Sequence, residues 1–250
     1  MRADVSATGR AVLGDDGELS AVEGPRVSTL EEVTLLPPVT PSKVVGVGLN
    51  YRAHAQEMGK ALPAEPLLFL MPASAVIGSG DEIVRPRGFE RVDYEGELAI
   101  VFGKRARGVP AAHAHEVIAG FCCCNDVTVR DLQRRDVQYT RAKGFDTFLP
   151  LGPCLTTGID LPRAQALQIE TRVDGQTRQS SSTSDMIFGI GQLVETVTRV
   201  MTMLPGDVIT TGTPPGVGQA EIGATIEIEI EEIGVLRNTV SDEVTVPLGR

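Results

Sequence analysis

The sequence predicts a strand-rich α+β fold, and three observations carry that prediction. Residues 225 to 231 alternate isoleucine with glutamate, the period-two pattern of a strand buried on one face. Strand-like segments outnumber helical ones and do not alternate with helices regularly enough for a doubly wound parallel sheet. Residues 187 to 203 carry apolar side chains at helical spacing (Ile190, Leu193, Val194, Val197, Val200, Met201), which predicts a long amphipathic helix.

Taken in order, residues 10–13 and 19–22 read as a hairpin around a turn at Gly14 to Gly17. Pro37, Pro38 and Pro41 then punctuate the chain, so residues 1–41 are expected to form a small N-terminal lobe and 42–250 the main domain. Residues 43–49 form a short apolar run, expected as a buried strand. Its Gly46 and Gly48 begin a dinucleotide-binding fingerprint but lack the third glycine, so a tight strand-to-helix turn is the reading taken. Asn50 is expected to cap a helix that carries Ala53, His54, Glu57 and Met58. Val92 to Gly103 reads as one long strand, and Ala111 to Gly120 as a helix.

Composition narrows the partners. The chain has 250 residues, 33 acidic against 23 Lys and Arg, and a formal net charge of −10. That balance disfavours nucleic acid, and the most basic stretch, Arg130 to Lys143, contains Asp131 and Asp136. No run of 18 apolar residues is present, so no membrane span is expected, and the N-terminus shows no secretory signal. Cys122, Cys123, Cys124 and Cys154 have neither zinc-site spacing nor a disulfide framework. They read as buried reduced thiols, which suit a cytoplasmic location.

The strongest chemical candidate is the pair Glu95 and Glu97. On a strand they face the same way, with Cα atoms roughly 6.5 to 7 Å apart. Two convergent carboxylates with a third from elsewhere could hold a hard cation such as Mg²⁺ or Mn²⁺. The same spacing recurs at Glu227, Glu229 and Glu231, where alternation with isoleucine predicts a solvated face. Glu95 and Glu97 differ because they run into an apolar stretch, residues 98–102, that implies cover on both faces. Acids there need a metal or a cationic side chain. Asp126 could be the third carboxylate or a helix N-cap. His54 shares a helix face with Glu57, as a general base with its orienting carboxylate or as a surface pair. His113 and His115 read as surface residues. Lys143 sits in a Gly-containing loop that could present an ammonium to an anion. Residues 206–218 read as a strand ending in a Gly/Pro loop whose N–H groups could hold an oxyanion.

Together these pieces resemble a known family. The motifs Asn50-Tyr-x-x-His54-x-x-Glu57, Tyr94-Glu-x-Glu97-Leu, Asn125-Asp126-x-Thr-x-Arg130-Asp131 and Ala142-Lys-Gly-Phe-Asp-Thr-Phe148 occur in register. The segments 173–179, 185–188 and 206–218 complete the set. The chain is similar, from 43 to about 240, to the fumarylacetoacetate hydrolase family, in its short acylpyruvase, oxaloacetate decarboxylase and 2-hydroxyhepta-2,4-diene-1,7-dioate isomerase-like branch. The resemblance implies a mixed β-sandwich roll, one Mg²⁺ or Mn²⁺, and a homodimer. It implies Glu95, Glu97 and Asp126 as metal ligands, His54 as general base with Glu57, and Lys143 as a catalytic and substrate-binding residue. Arg130, Gln133 and Thr213 match further substrate-binding positions. The expected function is metal-dependent hydrolysis of a C–C bond in acylpyruvate-type 2,4-dioxo acids, such as fumarylpyruvate or acetylpyruvate, through a metal-stabilised enolate. The alternatives are decarboxylation of oxaloacetate, tautomerisation of 2-hydroxy-dienoic diacids in aromatic catabolism, or non-catalytic binding of 2-oxo acids. Related sequences usually have Lys where this chain has Met71; either a nearby cation such as Lys60 substitutes, or the chemistry is narrower than in the lysine-bearing members.

Overall fold

The computed structural model describes residues 34–243 in full, together with the backbone of residues 11–13 and 19–21. The chain groups into two units, Met1–Leu35 and Leu36–Arg250. In the first, β1 (Ala11–Leu13) pairs antiparallel with β2 (Leu19–Ala21), as the hairpin reading expects; the turn at 14–17 lies outside the described residues.

The second unit opens with β3 (Val44–Gly48), α1 (Arg52–Glu57), β4 (Leu67–Met71), β5 (Val76–Ile77), β6 (Glu82–Arg85), β7 (Val92–Tyr94) and β8 (Gly96–Phe102). Next come β9 (Ile118–Asn125), β10 (Thr128–Val129), α2 (Arg130–Arg135), α3 (Thr140–Lys143), β11 (Leu149–Thr156) and α4 (Leu161–Ala164). The chain continues with β12 (Gln168–Val173), β13 (Gln176–Ser182), α5 (Ile190–Val200), β14 (Val208–Thr210), β15 (Gly218–Gln219), β16 (Thr225–Ile230) and β17 (Gly234–Asp242).

A seven-stranded sheet runs β4-β3-β14-β8-β9-β11-β5, and a five-stranded sheet runs β13-β12-β16-β17-β6. Most pairs are antiparallel, but β3/β14, β5/β11 and β6/β17 are parallel, so both sheets are mixed. The main core lies between them. Leu98, Ile100 and Phe102 from β8 and Cys123 from β9 meet Ile169 of β12, Ile226, Ile228 and Ile230 of β16, and Leu236 of β17. The opposite face of the larger sheet is also apolar, with Ala99, Val101, Cys122, Cys124, Leu149 and Val208 in a second cluster. A strand covered on both faces shows no polar alternation, as the run 98–102 implies. On β16 the isoleucines point inward while Glu227 and Glu229 reach Arg172 at the surface.

Four expectations need correction. Val92 to Gly103 is two strands rather than one, because β7 belongs to a small sheet with β10 and β15. The chain changes sheets at Glu95 and Gly96, whose N–H groups donate to the side chains of Asn125 and Gln179. A Cβ at residue 96 would stand 2.1 Å from the Thr171 hydroxyl, so only glycine fits that crossing. The stretch Ala111 to Gly120 is a short 3₁₀ helix (Ala111–Glu116) and then the start of β9, since pairing with β8 outweighs local helical preference. The helix α5 begins at Ile190, after the Ile187 N–H is drawn to the Asn50 carbonyl and the Phe188 N–H to the Asn50 side-chain oxygen.

Asn50 itself caps no helix; Tyr51 is the N-terminal flanking residue of α1. The fully buried Asn50 amide donates to the carbonyls of Phe188 (3.1 Å) and Thr211 (2.8 Å) and accepts from the Phe188 N–H (2.8 Å). The α1 N-terminus is held instead by Asp185, which accepts from the Ala53 N–H at 3.0 Å. Gly46 and Gly48 lie within β3, and the turn to α1 follows them; the Phe69 ring fills the place of a Gly46 side chain. Cys122, Cys123 and Cys124 are buried and Cys154 partly so, all four as free thiols. Replacing Asn50 by Ala orphans three buried backbone groups at once. Asn50→Ala is expected to lower unfolding stability by about 2 kcal/mol, read by urea denaturation.

Candidate active site

Three strand ends converge on one point. Glu95 bridges β7 and β8, Glu97 follows on β8, and Asp126 leaves β9, which pairs with β8 so that Gly96 faces Asn125. Register therefore brings the three carboxylates together, with one oxygen of each within 4.8 Å of the others. All three are buried. Asp126 caps no helix, which removes its alternative reading.

Two cationic side chains reach this cluster. The Lys143 ammonium donates to Glu95 (2.9 Å), Asp126 (2.5 Å) and the Thr128 hydroxyl (2.9 Å). Contrary to the loop expectation, Lys143 is buried on the short helix α3, and all three of its N–H donors are engaged. Arg130, at the start of α2, donates to Glu95 (2.5 Å), Asp93 (2.8 Å) and Gln133 (2.7 Å). Asp93 is fully buried, and its other oxygen accepts from Arg91 at 2.8 Å.

These partners set the acids apart. Burial opposes ionisation of Glu95, but Lys143 and Arg130 outweigh it and hold the carboxyl down at about 2. Burial pushes Asp126 up to about 6 despite Lys143. Burial, then the charge of Asp126, drives Glu97 well above the usual carboxylate range. Glu97 has one bond to offset that, from the Gly212 N–H at 2.8 Å. The Asp126 Oδ1 atom is buried without a partner.

An all-oxygen donor set, an orphaned carboxylate oxygen and a crowd of like charges together fit a hard divalent cation. The described residues thus suit such an ion, with Glu95, Glu97 and Asp126 as the set that would hold it.

A cavity of about 290 Å³ opens over the cluster and is lined by Glu95, Glu97, His54, Arg130, Gln133, Lys143 and Thr213. Of the site residues singled out from sequence, only Glu57 and Asp126 are not part of its lining, which Met58 and Lys60 share. His54 is almost buried, and its Nδ1–H donates to Glu57 at 2.9 Å. Glu57 in turn accepts from the Gly216 N–H at 3.1 Å. Two N–H groups of the glycine-rich loop after β14, those of Gly212 and Gly216, are thus taken by this chain's own carboxylates, Glu97 and Glu57. The Thr213 hydroxyl donates to the Gly96 carbonyl and accepts from Gln179, so it offers a ligand only a lone pair. Met71 does not line the cavity; it packs in the second apolar cluster with Phe69 and Leu149. His113 and Glu116 form an exposed pair, as expected of surface residues.

Sequence reasoning missed Asp93, Thr128 and Gln179. Each lies inside a motif that drew notice, yet only the folded contacts reveal that Asp93 aims Arg130 and Gln179 braces Thr213.

Known proteins resemble the chain along most of its length. Residues 43–241 match the fumarylacetoacetate (FAA) hydrolase C-terminal family. A relative named oxaloacetate tautomerase FAHD2A, mitochondrial, from Bos taurus is 44% identical over 219 residues, covering 84% of this chain and 70% of that protein. The crystal structure of a 5-carboxymethyl-2-hydroxymuconate delta-isomerase from Mycobacterium smegmatis superposes with a TM-score of 0.86 at 46% identity, covering 95% of this chain and 94% of that one. A fumarylacetoacetate hydrolase from Exiguobacterium antarcticum superposes with a TM-score of 0.79 at 39% identity, covering 88% of this chain and 81% of that one. By sequence and by fold, this chain belongs to the fumarylacetoacetate hydrolase family.

Proposed function

We propose that the cavity is the active site of a divalent-metal-dependent enzyme that moves a proton on a 2-oxo acid, with His54 as the acid–base group. The observation that carries this reading is the chain Gly216 N–H, Glu57, His54 beside three clustered carboxylates. With Nδ1–H held by Glu57, the imidazole keeps Nε2 free to accept a proton. A divalent ion held by Glu95, Glu97 and Asp126 would supply Lewis-acid stabilisation of charge developing on the substrate's oxygens. Arg130 retains one unused N–H on each terminal nitrogen, which suits a carboxylate. In a keto–enol tautomerisation, His54 takes a proton from C3 and the imidazolium returns one to the 2-oxygen. The tautomerase and isomerase names of the relatives at 44% and 46% identity support this order.

Hydrolysis of an acylpyruvate, the function expected first from sequence, is the second reading. It is supported by the hydrolase neighbour at 39% identity. There His54 would accept a proton from water as its oxygen adds to the C4 carbonyl. The C3–C4 bond would break, and a proton would return to C3. Oxaloacetate decarboxylation would use the same cavity. A homodimer, a cytoplasmic location and Mg²⁺ or Mn²⁺ as the physiological metal belong to this proposal too. No helix among the described residues is long and apolar enough to cross a membrane.

The deciding assay follows oxaloacetate, acetylpyruvate and fumarylpyruvate on metal-stripped protein, with and without Mg²⁺ or Mn²⁺. Metal-dependent keto–enol interconversion of oxaloacetate supports the first reading; metal-dependent release of pyruvate from an acylpyruvate would favour the second. His54→Ala is expected to reduce turnover by about 100-fold or more while Mn²⁺ affinity survives. Unchanged turnover would remove His54 from the mechanism. Asp126→Ala should weaken Mn²⁺ binding by at least about tenfold in a calorimetric titration. Because Asp126 is raised to about 6, protons compete with the ion at low pH. Mn²⁺ affinity should therefore fall as pH drops through about 6, and a pH-independent affinity between about 5 and 7 would contradict the ligand set.

A further inference from the structure

One cation of the cavity has no part in proton transfer at His54. Four cationic side chains line the wall: Lys60, Arg130, Arg134 and Lys143. Three are engaged, Lys143 and Arg130 with the buried acids and Arg134 with Asp131 at 3.1 Å. The Lys60 ammonium has no hydrogen-bond or ion-pair partner among the described residues, where only its backbone N–H is bonded.

The backbone of Lys60 is nonetheless held in place. Just past the end of α1, Gly59 takes a φ of 62°, and the Lys60 N–H closes back on the Ala55 carbonyl at 2.9 Å. The Gly59 N–H bonds the Gln56 carbonyl at 3.0 Å, which completes a Schellman closure. The same six-residue helix carries His54, so a rigid backbone sets the lysine relative to the acid–base group. Met58 and Leu67 add apolar surface to the cavity wall.

Charge balance says what this ammonium would take. At the inner end the buried carboxylates of Asp93, Glu95, Glu97 and Asp126 face Arg91, Arg130 and Lys143, one cation short. A divalent ion in the cluster turns that deficit into one surplus positive charge, which a single substrate carboxylate neutralises. A second carboxylate finds an unengaged counter-charge, among the described residues lining the cavity, at Lys60.

We propose that Lys60 is a specificity residue that binds a distal carboxylate, so that the substrates are 2-oxo dicarboxylates rather than 2-oxo monocarboxylates. The proposal rests on the reading of the cavity as a 2-oxo acid site. It distinguishes oxaloacetate and fumarylpyruvate, which carry the second carboxylate, from acetylpyruvate, which does not.

The test uses a stable pair of ligands, 2-oxoglutarate and 2-oxopentanoate, which differ by a terminal carboxylate against a methyl group. Dissociation constants are measured by calorimetry on the Mn²⁺-loaded protein and on its Lys60→Ala and Lys60→Arg variants. The wild type is expected to prefer the diacid by about fivefold, the upper end for a solvent-exposed ion pair. Lys60→Ala should abolish that preference without changing 2-oxopentanoate affinity, and Lys60→Arg should keep it. Binding of both ligands with a preference that survives Lys60→Ala, or with none in the wild type, overturns the assignment of Lys60 and leaves the 2-oxo acid reading standing. Binding of neither ligand overturns that reading, and the assignment falls with it.

Discussion

Three carboxylates buried within 4.8 Å of one another are the constraint around which the rest of this site is arranged. Like charges at that separation in a poorly solvated place repel strongly, and each also loses its hydration. Strand register forces the encounter: pairing of Gly96 with Asn125 puts Glu95, Glu97 and Asp126 at one corner. Lys143 and Arg130 offset part of the cost. They hydrogen-bond Glu95 and Asp126 and leave Glu97 with a lone backbone donor, so burial and then the charge of Asp126 drive its carboxyl well above the usual range. A divalent cation held by the three carboxylates would offset the remainder.

The compensation reaches beyond the cluster. Arg130 can serve Glu95 because Asp93 and Gln133 hold its guanidinium from two other sides. Gly212 can serve Glu97 because Asn50 fixes the neighbouring Thr211 carbonyl and, through Phe188, the chain that precedes α5. The loop continues to Gly216, whose N–H steadies Glu57 and through it His54. One glycine-rich loop thus holds both a member of the acid cluster, Glu97, and the Glu57 partner of His54.

Much of this was legible in the sequence. The alternation in β16 and its absence in β8 distinguished a half-exposed strand from a doubly covered one, and the apolar context of Glu95 and Glu97 set them apart from the surface glutamates 227 and 229. The spacing of His54 and Glu57 gave their contact directly. Long-range relations were not legible. Asn50 has the identity of a helix cap and stands before a helix, yet partners 138 and 161 residues away claim its amide. The break between β7 and β8 depends on Gln179 and Thr171, which no local pattern connects to Gly96. Lys143 likewise reads as a loop residue until α3 folds it onto the acids.

The most direct measurement of the central claim is anomalous difference density from crystals of the protein soaked in Mn²⁺. The account predicts one peak within coordinating distance of the Glu95, Glu97 and Asp126 carboxylates, with the cavity open beside it. Crystals that show no density in the cluster under saturating Mn²⁺, with Lys143 still bridging Glu95 and Asp126, would contradict it.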